Sequence, residues 1–278
     1  MKKHLNPQLI FMCFKYTIYL LLTMDIYHFF VDEYSAFALT FADGYTLTNF
    51  LTGYNATIDT VAWVVLLYLF ELETSILEDE KIVGWVKWSL HGVRIISYLF
   101  IISAFYRYIS RYDLFVGVEP FLMDDLCSLV GSSYTFAVTM DEYIPWTQQI
   151  CASMTNEPLL RFTDTNIIST IPQHNTIVHL AIIDIINAGT WLLVVLALEF
   201  DVWLQLKGKL TPQIMTISKW FKVIIYSVLI GCLIAWAVIG EILDIFDAFL
   251  WLLGFFFIEL NLFDWNAETN AEKEQETH

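Results

Sequence analysis

Three apolar stretches of this sequence repeat one arrangement of chemically active side chains. The first holds Asp59, Trp63, Glu71 and Glu73, the second Asn187, Trp191, Glu199 and Asp201, and the third Asp247, Trp251, Glu259 and Asn261. In each, an acid or amide is followed at the fourth position by Trp, eight positions later by Glu, and two later by another acid or amide. A carboxylate inside hydrocarbon costs on the order of several kcal/mol. It persists there when protonated, paired or in contact with water. Carboxylates gathered at one depth raise one another's proton affinity, which suits proton or cation binding and exchange.

The spacing also sets a depth. On a helix the Asp59-to-Glu71 interval spans about 18 Å, inside a hydrocarbon layer of about 30 Å. Three such helices around one axis would hold two polar levels. Asp59, Asn187 and Asp247 form the expected outer level, and Glu71, Glu199 and Glu259 the inner one. The competing reading makes the same acids helix-end groups paired with basic residues. Arg94 is then the expected partner of Glu71, and Arg107 that of Asp59 or Asp184.

Other groups carry less. Asp25 and His28 share a helical face. His28 and His179 are the weak metal candidates, and neither haem nor any other cofactor is expected. No nucleophile elbow, phosphate loop, HExxH or CxxC motif is present, so an enzyme is not the expected class. Asn55-Ala56-Thr57 matches a glycosylation acceptor but lies close to an apolar run.

These residues need helices to hold them, and composition says in which solvent. Of 278 residues 57% are hydrophobic and only 16% charged, against about 25% charged in soluble domains. Apolar surface on that scale calls for lipid. The net charge of −16 excludes a nucleic-acid partner, which would need a basic face. Six runs are long enough to span: Lys15–Val31, Ile58–Leu77, Leu90–Ile109, Thr176–Leu204, Ile217–Val238 and Ile242–Phe263. The expected fold is an all-α polytopic membrane protein over residues 1–263, its six helices forming three hairpins with possible pseudo-threefold symmetry.

Lys2, Lys3, Lys15, Lys81, Lys87, Lys207, Lys209, Lys219 and Lys273 fall on one side of that topology, and Arg111 and Arg161 on the other. The positive-inside bias therefore puts both termini in the cytoplasm, with the bacterial inner (plasma) membrane as the expected location. Residues 32–57 and 110–175 become outer loops, the second large, and residues 264–278 an acidic cytoplasmic tail that is disordered or a frayed helix. The outer loops are acidic, with Glu33, Asp43, Asp124, Asp125 and Asp141 among their residues. Cys127 and Cys151 share the larger loop, where an oxidising compartment would join them as a disulfide.

The leading expectation is a cation or proton channel or transporter working through the two carboxylate levels. Its partners are the bilayer, the small cation or proton, and a second copy or a larger membrane complex. The alternative is a non-transporting subunit, sensor or assembly factor that docks through its outer loop. A haem- or quinone-binding redox subunit comes third.

Overall fold

A computed structural model gives the fold, and the structure describes residues 7–40, 46–73, 77, 83–140, 142–154, 157–206, 209 and 211–276. Lys2, Lys3, Lys81, Lys207, Asp43 and Asp141, used above for charge and sidedness, lie outside them. The helices are α1 (Pro7–Thr40), α2 (Leu47–Gly53), α3 (Asn55–Glu71), α4 (Gly84–Val116), α5 (Gln148–Met154), α6 (Ile171–Leu206), α7 (Pro212–Ile239) and α8 (Ile242–Glu276). Five short strands lie between α4 and α6: β1 (Val118–Phe121), β2 (Thr135–Ala137), β3 (Tyr143–Pro145), β4 (Leu159–Phe162) and β5 (Ile167–Thr170).

Among the described residues four helices are long and apolar enough to cross a membrane, at Leu9–Phe37, Gly84–Val116, Ile171–Asp201 and Gln213–Ile239. Counting the pair α2–α3, bent by 72° at Tyr54, as one span makes five. The apolar part of α8 carries Asp244, Asp247 and Glu259. Leu20, Leu99, Leu196 and Ile224 are 59–63% exposed on the helix flanks. Leucine and isoleucine rank among the most buried residues in water-soluble folds, so these flanks fit lipid.

Local chemistry explains where the helices begin and end. Thr211 caps α7 by accepting from the Ile214 backbone N–H at 3.4 Å, and Pro212 opens the helix. Gly240 stops it with φ 102°, a left-handed conformation open to glycine, while its N–H reaches the Trp236 carbonyl at 2.8 Å. The start of α3 is capped from another helix. Glu33 of α1 accepts from the backbone N–H of Ala56 at 2.7 Å and of Thr57 at 3.0 Å, and from the Thr57 hydroxyl at 2.6 Å. A carboxylate there meets the positive end of the helix dipole. The stretch expected as the first outer loop thus begins inside α1 and contains α2. The tail continues α8 as helix through Glu276.

The chain divides into two compact units. One comprises Met1–His28, Ile58–Ile101 and Leu243–His278, and the other Phe29–Thr57 and Ile102–Ile242. The interior of the first is built on Tyr19, Leu22, Leu66 and Leu67, all fully buried, with Trp63 edge-on to Trp251 at 6.2 Å. In the second, α6 and α7 pack together, and Phe105 of α4 comes within 3.2 Å of where a Cβ would stand on Gly189. Tyr54 stacks against Phe30 and Phe37 at the α2–α3 break.

The second unit also holds what the sequence presents as a large loop. Its strands form one sheet in the order β1-β4-β5-β2-β3, antiparallel except for the β2–β5 pair. Leu129, Phe136, Trp146, Cys151, Leu159 and Ile168 make a core of its own. The Cys127–Cys151 disulfide, with Cα atoms 5.1 Å apart, joins a 3-10 turn (Leu126–Leu129) to α5. The His174 ring of α6 bonds the Phe115 carbonyl of α4 at 2.9 Å, and Gln173 of α6 donates to the Val138 carbonyl at 3.1 Å, so these bonds join the two flanking helices and tie α6 to the β domain.

Candidate functional site

The site is assembled in the first unit by α1, α3 and α8. One end of it is an ion pair. Lys15 of α1 lies 2.7 Å from the Glu71 carboxylate of α3, and Glu71 also accepts from the hydroxyls of Tyr16 at 3.0 Å and Tyr19 at 3.3 Å. Glu71 is only 3% exposed, and these three donors are what make its burial tolerable. The expected partner Arg94 reaches Glu73 instead, its guanidinium 5.2 Å from the Phe70 ring centre. Two residues along the helix turn a carboxylate by about 200°, enough to change its neighbour.

From that ion pair the register can be followed. Thr23 and Tyr68 share a hydrogen bond at 2.9 Å, so α1 and α3 run in opposite directions. Lys15 to Asp25 covers about 15 Å of helix and Glu71 to Asp59 about 18 Å, so both aspartates lie on the same side of that ion pair along the helices. Helix α8 also runs against α1, with Phe257 packed on Phe14 and Gly254 beside Leu22 at 3.4 Å. Asp247 of α8 lies within electrostatic reach of Asp25 and Asp59.

The three acids differ in their surroundings. Asp247 accepts from the indole N–H of Trp251 at 3.0 Å. This bond gives the Asp-x-x-x-Trp spacing a physical meaning, because an indole one turn ahead can reach back to a carboxylate. Asp59 buries its Oδ1, and Trp63, one turn on, meets Trp251 and Phe255. Asp25 has no exposed surface, and neither of its oxygens is hydrogen-bonded among the described residues. His28, one turn further on with its ring exposed, is within electrostatic reach of it.

The remaining sequence candidates are dispersed. Glu259 is half-buried on α8, and Asn187 and Glu199 are half-buried on α6 in the second unit. Also in that unit, Arg107 donates to Asn55 at 2.8 Å and to Ser103 at 2.6 Å. Asn55 is 1% exposed, so it offers no acceptor for a glycan. Asp184 is half-buried and lies within reach of Cys232. His28 and His179 are exposed residues of different units. Among the described residues no group of His, Cys, Asp and Glu is arranged to hold a metal.

Sequence reading paired Asp25 only with His28 and left it out of the carboxylate levels. Counting the antiparallel register away from a Lys15–Glu71 pair would have found it. Asp201, read as a template position, bonds Lys222 at 3.0 Å and Ser218 at 2.6 Å.

Long apolar helices, lipid-type flanks and carboxylates from three helices in electrostatic contact around Asp247 define a helical membrane protein with an ionisable interior. Compared with protein-family models, curated proteins and solved structures, the chain matches none.

Proposed function

We propose that the chain conducts protons or small cations across a plasma membrane of the bacterial inner-membrane kind. The observation that carries the reading is that Asp25 of α1 and Asp59 of α3 both lie within electrostatic reach of Asp247 on α8. Intramembrane acids mark ion and proton pathways more often than structural positions. In this reading α1, the bent α2–α3 pair, α4, α6, α7 and the first part of α8 are six spans forming three hairpins, with both termini cytoplasmic. The disulfide-bonded β domain then faces the oxidising side. Glu71 and Glu259 of the same unit form an inner stage. Lys15 neutralises Glu71 and sets the charge balance at the cytoplasmic end. The conductor works as one chain, as a homo-oligomer or inside a larger membrane complex.

The test is flux of protons and of alkali cations into liposomes holding the purified protein. Replacing Asp59 and Asp247 together by Asn should lower flux about tenfold or more, a barrier change of at least ~1.4 kcal/mol. Glu119→Gln, on the β domain of the other unit, should leave it unchanged. Unaltered flux in the double variant would sink the reading.

A second reading is favoured by the β domain, which has its own core, sheet and disulfide. It makes the chain a non-transporting subunit that docks a partner protein through this domain. An intact protein silent at every voltage and pH, with the double variant reducing only yield or stability, would select it.

A further inference from the structure

We propose that Asp25 and Asp247 bind one proton between them, making Asp25 a proton site that the repeated motif does not contain. The inference names the ligand of these carboxylates and rests on taking them as the working site.

The argument is one of charge and coordination. Asp25 is fully buried, and both of its oxygens lack a hydrogen-bond donor. A carboxylate in that position has no compensation from the protein, which a buried charge requires. Its charged and titratable neighbours are Asp247 on α8, Asp59 on α3 beyond it, and His28 on its own helix. Among the described side chains of this unit the cations Lys15 and Arg94 are engaged by Glu71 and Glu73, and Lys87 is exposed on α4. The Trp251 indole supplies one donor to Asp247. Asp25 and Asp247, with one neutral donor between them and no hydrogen-bonded cation among the described residues, draw a positive charge from outside the protein.

A metal cation fits that need poorly. Hard divalent cations take about six or more oxygen ligands at short range, and no described cluster offers even three side chains so placed. Asp25 also has no exposed surface through which waters could complete a shell. A proton needs one oxygen, or two that share it, and two nearby carboxylates hold one as a coupled pair. It arrives from hydronium, leaves a water behind, and needs no oxidant or further reactant.

Infrared spectroscopy of the full-length protein in lipid nanodiscs tests this without any flux measurement. At neutral pH the intact protein should show the C=O stretch of a protonated carboxyl, shifting in D2O. Asp25→Asn should remove it, Asp247→Asn should remove or displace it, and His28→Gln and Glu259→Gln should leave it in place. Should Asp25→Asn fail to fold, aspartate carrying carbon-13 in its side-chain carboxyl must shift the same band in the intact protein. A spectrum without such a band overturns the proposal, and so does a band insensitive to both aspartate changes. Loss of the band on adding sodium or potassium at constant pH would also overturn it and make a metal cation the occupant. A bound proton without flux would keep this inference and end the conduction reading, and flux without a bound proton would do the reverse.

Discussion

The buried pair Lys15–Glu71 makes the sharpest residue-scale prediction. Lys15→Met leaves Glu71 with its tyrosine donors but no cation, and should cost about 3–5 kcal/mol in unfolding stability. Changing both residues to apolar ones of similar size should recover most of that loss. Thermal unfolding in detergent, followed by tryptophan fluorescence, checks both. A milder effect is expected at Trp251. Exchange for Phe keeps the ring packing against Trp63 and removes the donor to Asp247, for about 1–3 kcal/mol on the same measurement. The repeated spacing of Asp59, Asn187 and Asp247 ahead of tryptophans was legible in the sequence, because a one-turn interval shows directly in residue numbers. The membership of Asp25 was not. It depends on how far α1 slides against α3, and that is settled by a contact between residues 55 positions apart, Tyr16 and Glu71.

Among the elements, α7 shows how much local chemistry reveals. Thr211, Pro212 and Gly240 mark both of its ends in sequence, and the turn at residues 239–241 follows from them. Gly240→Ala should cost about 1 kcal/mol, since φ 102° penalises any Cβ while nothing lies within 4 Å to clash with one. Differential scanning fluorimetry should show a small shift, and no shift would mean that the backbone relaxes there. The β domain was illegible for the opposite reason. Its strands are three or four residues long, too short for a period of two to stand out, and their pairing joins segments far apart in the chain. Only the cysteines announced it. The length of α1, 34 residues or about 51 Å, was also hidden. Its part beyond Val31 is amphiphilic and reads as loop when hydropathy alone is followed.

At the scale of the whole molecule, membrane class was readable from composition because apolar content is a sum over all residues. The partition into two units was not, since each draws on segments from distant parts of the chain. The disulfide closes a loop with a sequence separation of 24. Its loss through Cys127→Ser should destabilise the β domain by about 3 kcal/mol. Limited proteolysis should then cut between residues 118 and 170 before touching the apolar helices, and equal resistance in the variant would contradict a disulfide-dependent core.

Glu33 adds a temporal consequence to a spatial arrangement. The acid that caps α3 is made on the ribosome before α3 itself. When Ala56 and Thr57 emerge, their acceptor is already in place on α1, so the first turn of α3 can close as it is synthesised. An order of birth that matches the order of need lets the earliest pair of helices mature before the later ones arrive. Moving the acid to a segment translated after α3 would leave the same bonds in the finished protein and a bare helix end during its making.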